Sequence, residues 1–319
     1  MKICGRDFSL DIISRIKTTI KAEPSISRRA LSLKVCDWLD WKARTGRPKE
    51  VNCRVALLRL HRRGQITLPD ARPKSDVFRP STRKEVSVEL ADVECSLAEL
   101  GTMEIVPVDS GNRELSALWN AMMERYHYLG SGPLCGAQIR YLIKSPRCGW
   151  LGGLAFSAAA WHVEARDRWI GWSKDARQEN LPLVVGNSRF LIGPTVRVPH
   201  LASHVLSRCV ERIGQDWHAR YGYAPVLLET YVEQGRFRGT CYLAANWQRV
   251  GETRGRGRQD SDQACAVPVK DIYVLPLRTD AKVVLCQEKA PILPPSLPQT
   301  PAVDWAEEEL PILILATSD

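Results

Sequence analysis

Residues 200–253 constrain the fold more than any other stretch. "HLASHVLSRCVERIGQDWHARY" reads as one long helix, "APVLLETYVE" as a buried strand, and "GTCYLAANWQRV" as a short helix running into strand-like "VGET". A continuous apolar strand between helices belongs inside a sheet that helices cover. Upstream the same alternation holds. "GTMEIVPVD" is a strand, and "NRELSALWNAMMERYHY" is an amphipathic helix carrying Leu115, Leu118, Met122 and Tyr126. "AQIRYLIKS" and "GWLGGLAFSAAAW" form an antiparallel pair, "RFLIGPTVRV" is β-rich, and "KDIYVLPL" is the last strand. The expected core is therefore α/β (α+β), a mixed sheet over residues 99–286.

The N-terminal 70 residues differ in charge and pattern. Residues 1–84 carry 21 Lys+Arg against 8 Asp+Glu, a net of +13, which leaves −4 for the rest of the chain. Such asymmetry favours a polyanionic partner at this end. Three helices are expected: one with Ile12, Ile13, Ile16 and Ile20 in phase, one capped by Ser27 with Leu31, Val35, Trp38 and Leu39 on a face, and one with Val51, Val55 and Leu58 on successive turns. "GQITLP" follows as a short strand. Helices and strand together suit a winged helix-turn-helix over 1–70. The third helix would read DNA with Arg54, Arg59, Arg62 and Arg63, while Arg47 and Lys49 grip phosphates. The competing reading is a helical docking unit with solvated arginines.

Residues 71–98 read as a polar linker and 287–319 as a Pro-rich acidic tail. The ten cysteines show no C-x-x-C spacing, which implies free thiols and a cytoplasmic location rather than a zinc site or a disulfide framework. No apolar run approaches the length of a membrane span.

The order of a strand, a helix from 201, a buried strand and a short helix ending at "NWQRVGET" resembles the back half of an acetyltransferase-like (GNAT) fold, with Tyr242, Trp247 and Gly251 in the matching places. That fold starts its cofactor-binding helix on a Gly-rich turn, and here the residues are "VPHLAS". More closely, "ERYHYLG", "NSRFLI", "VPHLAS", "DWHARYG", "LLETYVE", "GTCYLAANWQRVGETRGRGR" and "KDIYVLPL" resemble the DruA-like proteins of Druantia antiphage systems and related insertion-sequence proteins. The resemblance implies defence or mobile-element biology on DNA, with defence partners such as a helicase.

For chemistry the candidates are Tyr242, Glu229 and His127. Glu229 ends a buried strand, where a carboxylate is costly unless paired or functional. It can serve as general base with Tyr242 as acid; alternatively Tyr242 attacks a DNA phosphodiester with His127 assisting. The structural alternative pairs Glu229 with an arginine such as Arg189 and leaves Tyr242 in the core. Metal binding by Asp167, Asp216, Glu229 and Glu233, or by His200 and His204, is the weaker option, and no metal or cofactor is assigned. "RGRGR" offers Arg254, Arg256 and Arg258 to a phosphate backbone, with glycines permitting close approach. The expected function is a DNA-acting component of a defence or transposon module. A group-transfer enzyme and a non-catalytic scaffold are the alternatives.

Overall fold

The computed structural model describes residues 1–43, 46–70, 86–109, 111–255, 267–292 and 294–295. At the N-terminus a hairpin of β1 (Lys2–Ile3) and β2 (Arg6–Asp7) leads into α1 (Leu10–Ala22), α2 (Arg28–Trp38) and α3 (Glu50–Arg62). Ser9 and Ser27 cap α1 and α2 by accepting from the Ile12 and Ala30 amides. The three helices bury one cluster built on Phe8, Ile16, Leu31, Val35, Leu57 and Leu60.

Two expectations for this unit are corrected. Helix α3 buries Cys53, Ala56, Leu57 and Leu60, so Val51 and Val55 face outward. Residues 65–70 form no strand, although Ile66 and Leu68 are buried. Their backbone is satisfied by side chains instead: the Leu68 amide donates to His61 Nδ1 at 3.3 Å, and Arg28 Nε donates to the Pro69 carbonyl at 2.8 Å.

The core continues through β3 (Val93–Glu94), α4 (Leu97–Leu100), β4 (Glu104–Val108), α5 (Arg113–Tyr126), β5 (Gln138–Ser145) and β6 (Gly149–Ala158). Next come α6 (Glu164–Ile170), α7 (Lys174–Asn180), β7 (Val184–Ile192), β8 (Val196–Arg197), α8 (Leu201–Tyr221) and β9 (Leu227–Glu233). The described elements end with α9 (Thr240–Ala244), β10 (Gln248–Glu252), β11 (Lys270–Pro276) and α10 (Ala281–Cys286). One seven-stranded sheet has the order β4-β5-β6-β7-β9-β11-β10. Every neighbouring pair in it is antiparallel except β7 and β9.

Alternation along the strands divides the core between two faces. Trp119, Met122 and Met123 of α5 pack with Leu142, Ala155 and Leu191. Helix α8 buries Val205, Leu206, Cys209, Ile213 and Trp217 against a set that includes Tyr141, Ile143, Leu154 and Phe156.

The core also extends past both expected edges. Residues 86–98, expected as the end of the linker, lie on the sheet: Val88 is buried, and β3 pairs in parallel with β8. The Thr195 hydroxyl donates to the Ala91 carbonyl at 2.7 Å. At the other end Ala290 is buried, and its amide donates to Asn180 Oδ1 at 2.9 Å. The expected linker residues 71–85 and the tail residues 293 and 296–319 lie outside the described residues.

Candidate functional site

The parallel strands β7 and β9 pair only over Val184–Asn187 and Leu227–Thr230, and beyond that they part. At the fork a bulge in β7 falls between Asn187 and Arg189. The Asn187 side chain fills it. Nδ2 donates to the carbonyls of Ala155 and Arg189, each at 3.1 Å, and Oδ1 accepts from the Tyr242 hydroxyl at 2.7 Å. Thr230 Oγ1 closes the fork by donating to the Asn187 carbonyl at 3.1 Å.

Helix α9 carries Tyr242 into this position. The ring stands edge-on to Trp247, with centroids 5.2 Å apart, and stacks on Tyr273 at 5.9 Å. Gly239 starts the helix at φ 69°, and a Cβ there would sit 2.5 Å from the Tyr273 hydroxyl. Burial pushes the Tyr242 hydroxyl well above its ordinary range, so it stays protonated and committed to Asn187.

Glu229 precedes Thr230 in β9 and therefore lies on the opposite face of the sheet from the Tyr242 hydroxyl bond. Its Oε2 is 2.9 Å from Arg166 Nη1 in α6, and both side chains are fully buried. Oε1 accepts from the Tyr231 hydroxyl at 2.7 Å. Burial, and then the Glu229 carboxylate, hold that hydroxyl far above the usual tyrosine range. Arg166 also donates to the Ala160 carbonyl at 3.0 Å and reaches Asp167 Oδ1 through Nε and Nη2 at 2.9 and 2.7 Å. Asp167 Oδ2 meets Arg177 Nη1 at 2.9 Å. The partner of Glu229 is thus Arg166 rather than Arg189, whose Nε donates to the Gly130 carbonyl at 2.9 Å.

His127 ends α5. Its Nδ1 accepts from the Leu129 amide at 3.2 Å, which places the proton of the neutral ring on Nε2. Burial first, then Arg189, Arg236 and Lys270, push its pKa down to about 4. Its ring stacks on Tyr128 with centroids 4.9 Å apart. The three expected catalytic side chains are therefore placed in three settings: a filled fork, a buried ion network and an aromatic stack.

The phosphate-binding candidates divide as well. Arg47, Arg54, Arg59, Arg62 and Arg63 are exposed, and Lys49 is half-buried at the start of α3. Arg54 spends its charge on Glu50 at 2.9 Å. Arg254 pairs with Glu164. Arg256 and Arg258 lie outside the described residues. Among the described residues no group of three His, Cys, Asp or Glu side chains is placed to hold a metal ion. Asp216 instead accepts from Tyr141 and Arg212, each at 2.7 Å.

Sequence reasoning missed Arg166. Its signal is indirect: a carboxylate in "VLLET" demands a buried cation, but the cation comes from "EARDRW", 63 residues earlier, where nothing local marks an inward-facing position.

The strand order, the single parallel pair, the bulge and the fork define a GNAT-like α/β core. For the cofactor that such a resemblance implies, acyl-coenzyme A, the start of α8 would have to hold the phosphates and the fork the acyl group. The residues present do not fit it. Pro199 has no amide hydrogen to offer, and His200 occupies the left-handed region at φ 61°. The Ser203 hydroxyl turns back to the His200 carbonyl at 3.0 Å. Just upstream β8 is paired with β3, and the fork is filled by Asn187, Thr230 and Tyr242.

The family model described as "Druantia protein DruA" matches residues 61–265, and the chain belongs to that family. Among solved structures, spermidine N-acetyltransferase from Vibrio cholerae in complex with CoA and spermine is 8% identical with a TM-score of 0.35; the match covers 57% of this chain and 98% of that one. Spermidine/spermine N-acetyltransferase SpeG from Vibrio cholerae in complex with manganese ions is 9% identical with a TM-score of 0.32, covering 56% and 94%. No curated protein matches the chain. Among the described residues no helix is long and apolar enough to cross a membrane.

Proposed function

We propose that this protein is a DNA-engaging component of an antiphage defence module or a related mobile element, and that it docks on duplex DNA through α3. The observation that carries the reading is the outward face of that helix. Val51 and Val55 are 57% and 42% exposed, in line with the exposed side chains of Asn52, Arg59 and Arg62. Short apolar groups suit thymine methyls, Asn suits adenine, and arginine suits guanine or phosphate, so this face has the chemistry of a helix that lies in a major groove. The exposed Arg47 stands on the turn before it, beside Pro48, which bridges to Lys42. The net charge of +13 over residues 1–84 supports the same partner.

Defence proteins that act on DNA, a helicase among them, are the partners this reading implies. Acyl transfer is disfavoured by the filled fork, and Tyr242 is assigned to holding that fork shut.

The test is fluorescence anisotropy on a labelled 20-base-pair duplex between 50 and 200 mM salt. The Arg59→Glu/Arg62→Glu variant is expected to weaken binding at every salt concentration and to flatten the log–log salt dependence by about 0.9 per lost phosphate contact. Duplex affinity equal to wild type in this variant, with its melting temperature intact, sinks the α3 reading.

A further inference from the structure

The neutral His127 opens an array of rings that the DNA-docking helix does not use. His127 stacks on Tyr128, and Tyr128 meets Phe237 with centroids 5.4 Å apart. Phe237 lies in "QGRFRG", just after β9, and is 43% exposed. A large ring left in water on a tight turn buries little of the protein's own surface. Basic side chains surround it. Arg236 Cζ lies 4.5 Å from the Tyr128 ring centre and 5.7 Å from that of Phe237, and Lys270 Nζ lies 5.9 Å from Tyr128. Arg238, the next residue after Phe237, is exposed. Arg189 and Glu233 also act on Tyr128, so the group holds four cations against one carboxylate. Among the described residues neither Arg236 nor Arg238 forms an ion pair.

We propose that Tyr128, Arg236, Phe237, Arg238 and Lys270 form a binding site for single-stranded nucleic acid, with a base stacked on Phe237 and the flanking phosphates held by Arg236, Arg238 and Lys270. Every base has a face that stacks on an exposed ring, and the backbone follows a cationic rim, so the pair of features selects an unpaired strand without selecting its sequence. A duplex has its bases stacked on one another and offers Phe237 nothing. The inference rests on the DNA reading for its ligand class, but on different residues, in the core rather than in the N-terminal helices.

The experiment uses the full chain with fluorescein-labelled dT12 and, in parallel, the 20-base-pair duplex. Phe237→Ala is expected to lower dT12 affinity about 5- to 150-fold, the range for loss of one stacked base, with duplex affinity within about twofold of wild type. Phe237→Trp is expected to restore dT12 binding, and Arg236→Ala/Arg238→Ala to weaken it with a shallower salt dependence. Circular dichroism melts of each variant show that the fold is kept. Wild-type affinity for dT12 in Phe237→Ala overturns the site, as does a wild-type protein that binds duplex and not dT12. The Arg59→Glu/Arg62→Glu variant separates the two readings. If it keeps full duplex affinity while Phe237→Ala loses dT12, the α3 reading falls alone. Binding of neither oligonucleotide by the wild type removes both and leaves the exposed ring to a protein partner.

Discussion

Replacing Glu229 with glutamine tests whether the buried ion network is held by charge or by shape. Glutamine keeps the volume and an acceptor for the Tyr231 hydroxyl, so what is lost is the negative charge 2.9 Å from Arg166 Nη1. The Arg166 guanidinium has no exposed surface to recruit water. Asp167 would then be its only carboxylate partner, and Asp167 already serves Arg177 at 2.9 Å. Breaking a buried pair from one side costs about 3–5 kcal/mol, and the remaining Asp167 contact places this case near 3 kcal/mol. For a unit of this size each kcal/mol moves the midpoint by about 2–4 °C, so Glu229→Gln should melt about 6–12 °C below wild type. Arg166→Met alone should lose a comparable amount by stranding Glu229. The double variant Arg166→Met/Glu229→Gln strands no charge and should recover at least about 2 kcal/mol relative to the sum of the singles. The assay is thermal and urea unfolding followed by circular dichroism for all four proteins. Singles within about 1 kcal/mol of wild type, or singles that simply add, would falsify the claim that the pair is a coupled, desolvated unit.

Tyr242→Phe leaves the buried Asn187 Oδ1 without its 2.7 Å donor and should cost about 1–3 kcal/mol in urea unfolding. Neither the duplex nor the dT12 affinity should change with it, and a loss of DNA binding at full stability would return Tyr242 to the functional residues. For His127 the folded pKa lies near 4, below the ordinary 6.5 of an unfolded chain, so the unfolded form takes up the proton first. Its share of stability is complete above about pH 6.5, declines below it, and is lost as pH falls through 4. Melting temperatures from pH 7 to 3.5 should fall less steeply in His127→Gln than in wild type; equal slopes refute the assignment.

The layered core was readable because its central strands are largely apolar on both faces and its long helices are amphipathic, and those signals survive without tertiary information. The phase of α3 was not. Val51, Val55 and Leu58 have helical spacing, and so do Cys53, Ala56, Leu57 and Leu60. The second set is buried, and its smaller Cys and Ala members let the helix approach α2 closely. The missing strand after α3 has a similar origin: the alternation of Ile66 and Leu68 is real, but His61 and Arg28 satisfy the backbone without a ladder. Of the candidate site, Glu229 announced itself by polarity in an apolar strand. Its partner Arg166 did not, because four of the seven residues of helix α6 are charged and nothing local marks which arginine turns inward. Phe237 was missed for the opposite reason, since a single phenylalanine in a polar turn has no periodicity to betray it.

The parallel pairing of β3 with β8 fixes where the chain enters the core: beside the loop that follows β7, at the end of the sheet where β9 also finishes and β11 begins. That is the end that carries Phe237 and Lys270. The fifteen residues 71–85, whatever path they take, span no more than about 54 Å. That chain joins the two contacts proposed above, a duplex on α3 and an unpaired strand on Phe237. On that reading, occupying either contact would raise the effective concentration of the other, and the molecule would be matched to junctions between paired and unpaired DNA, where both contacts could be filled at once.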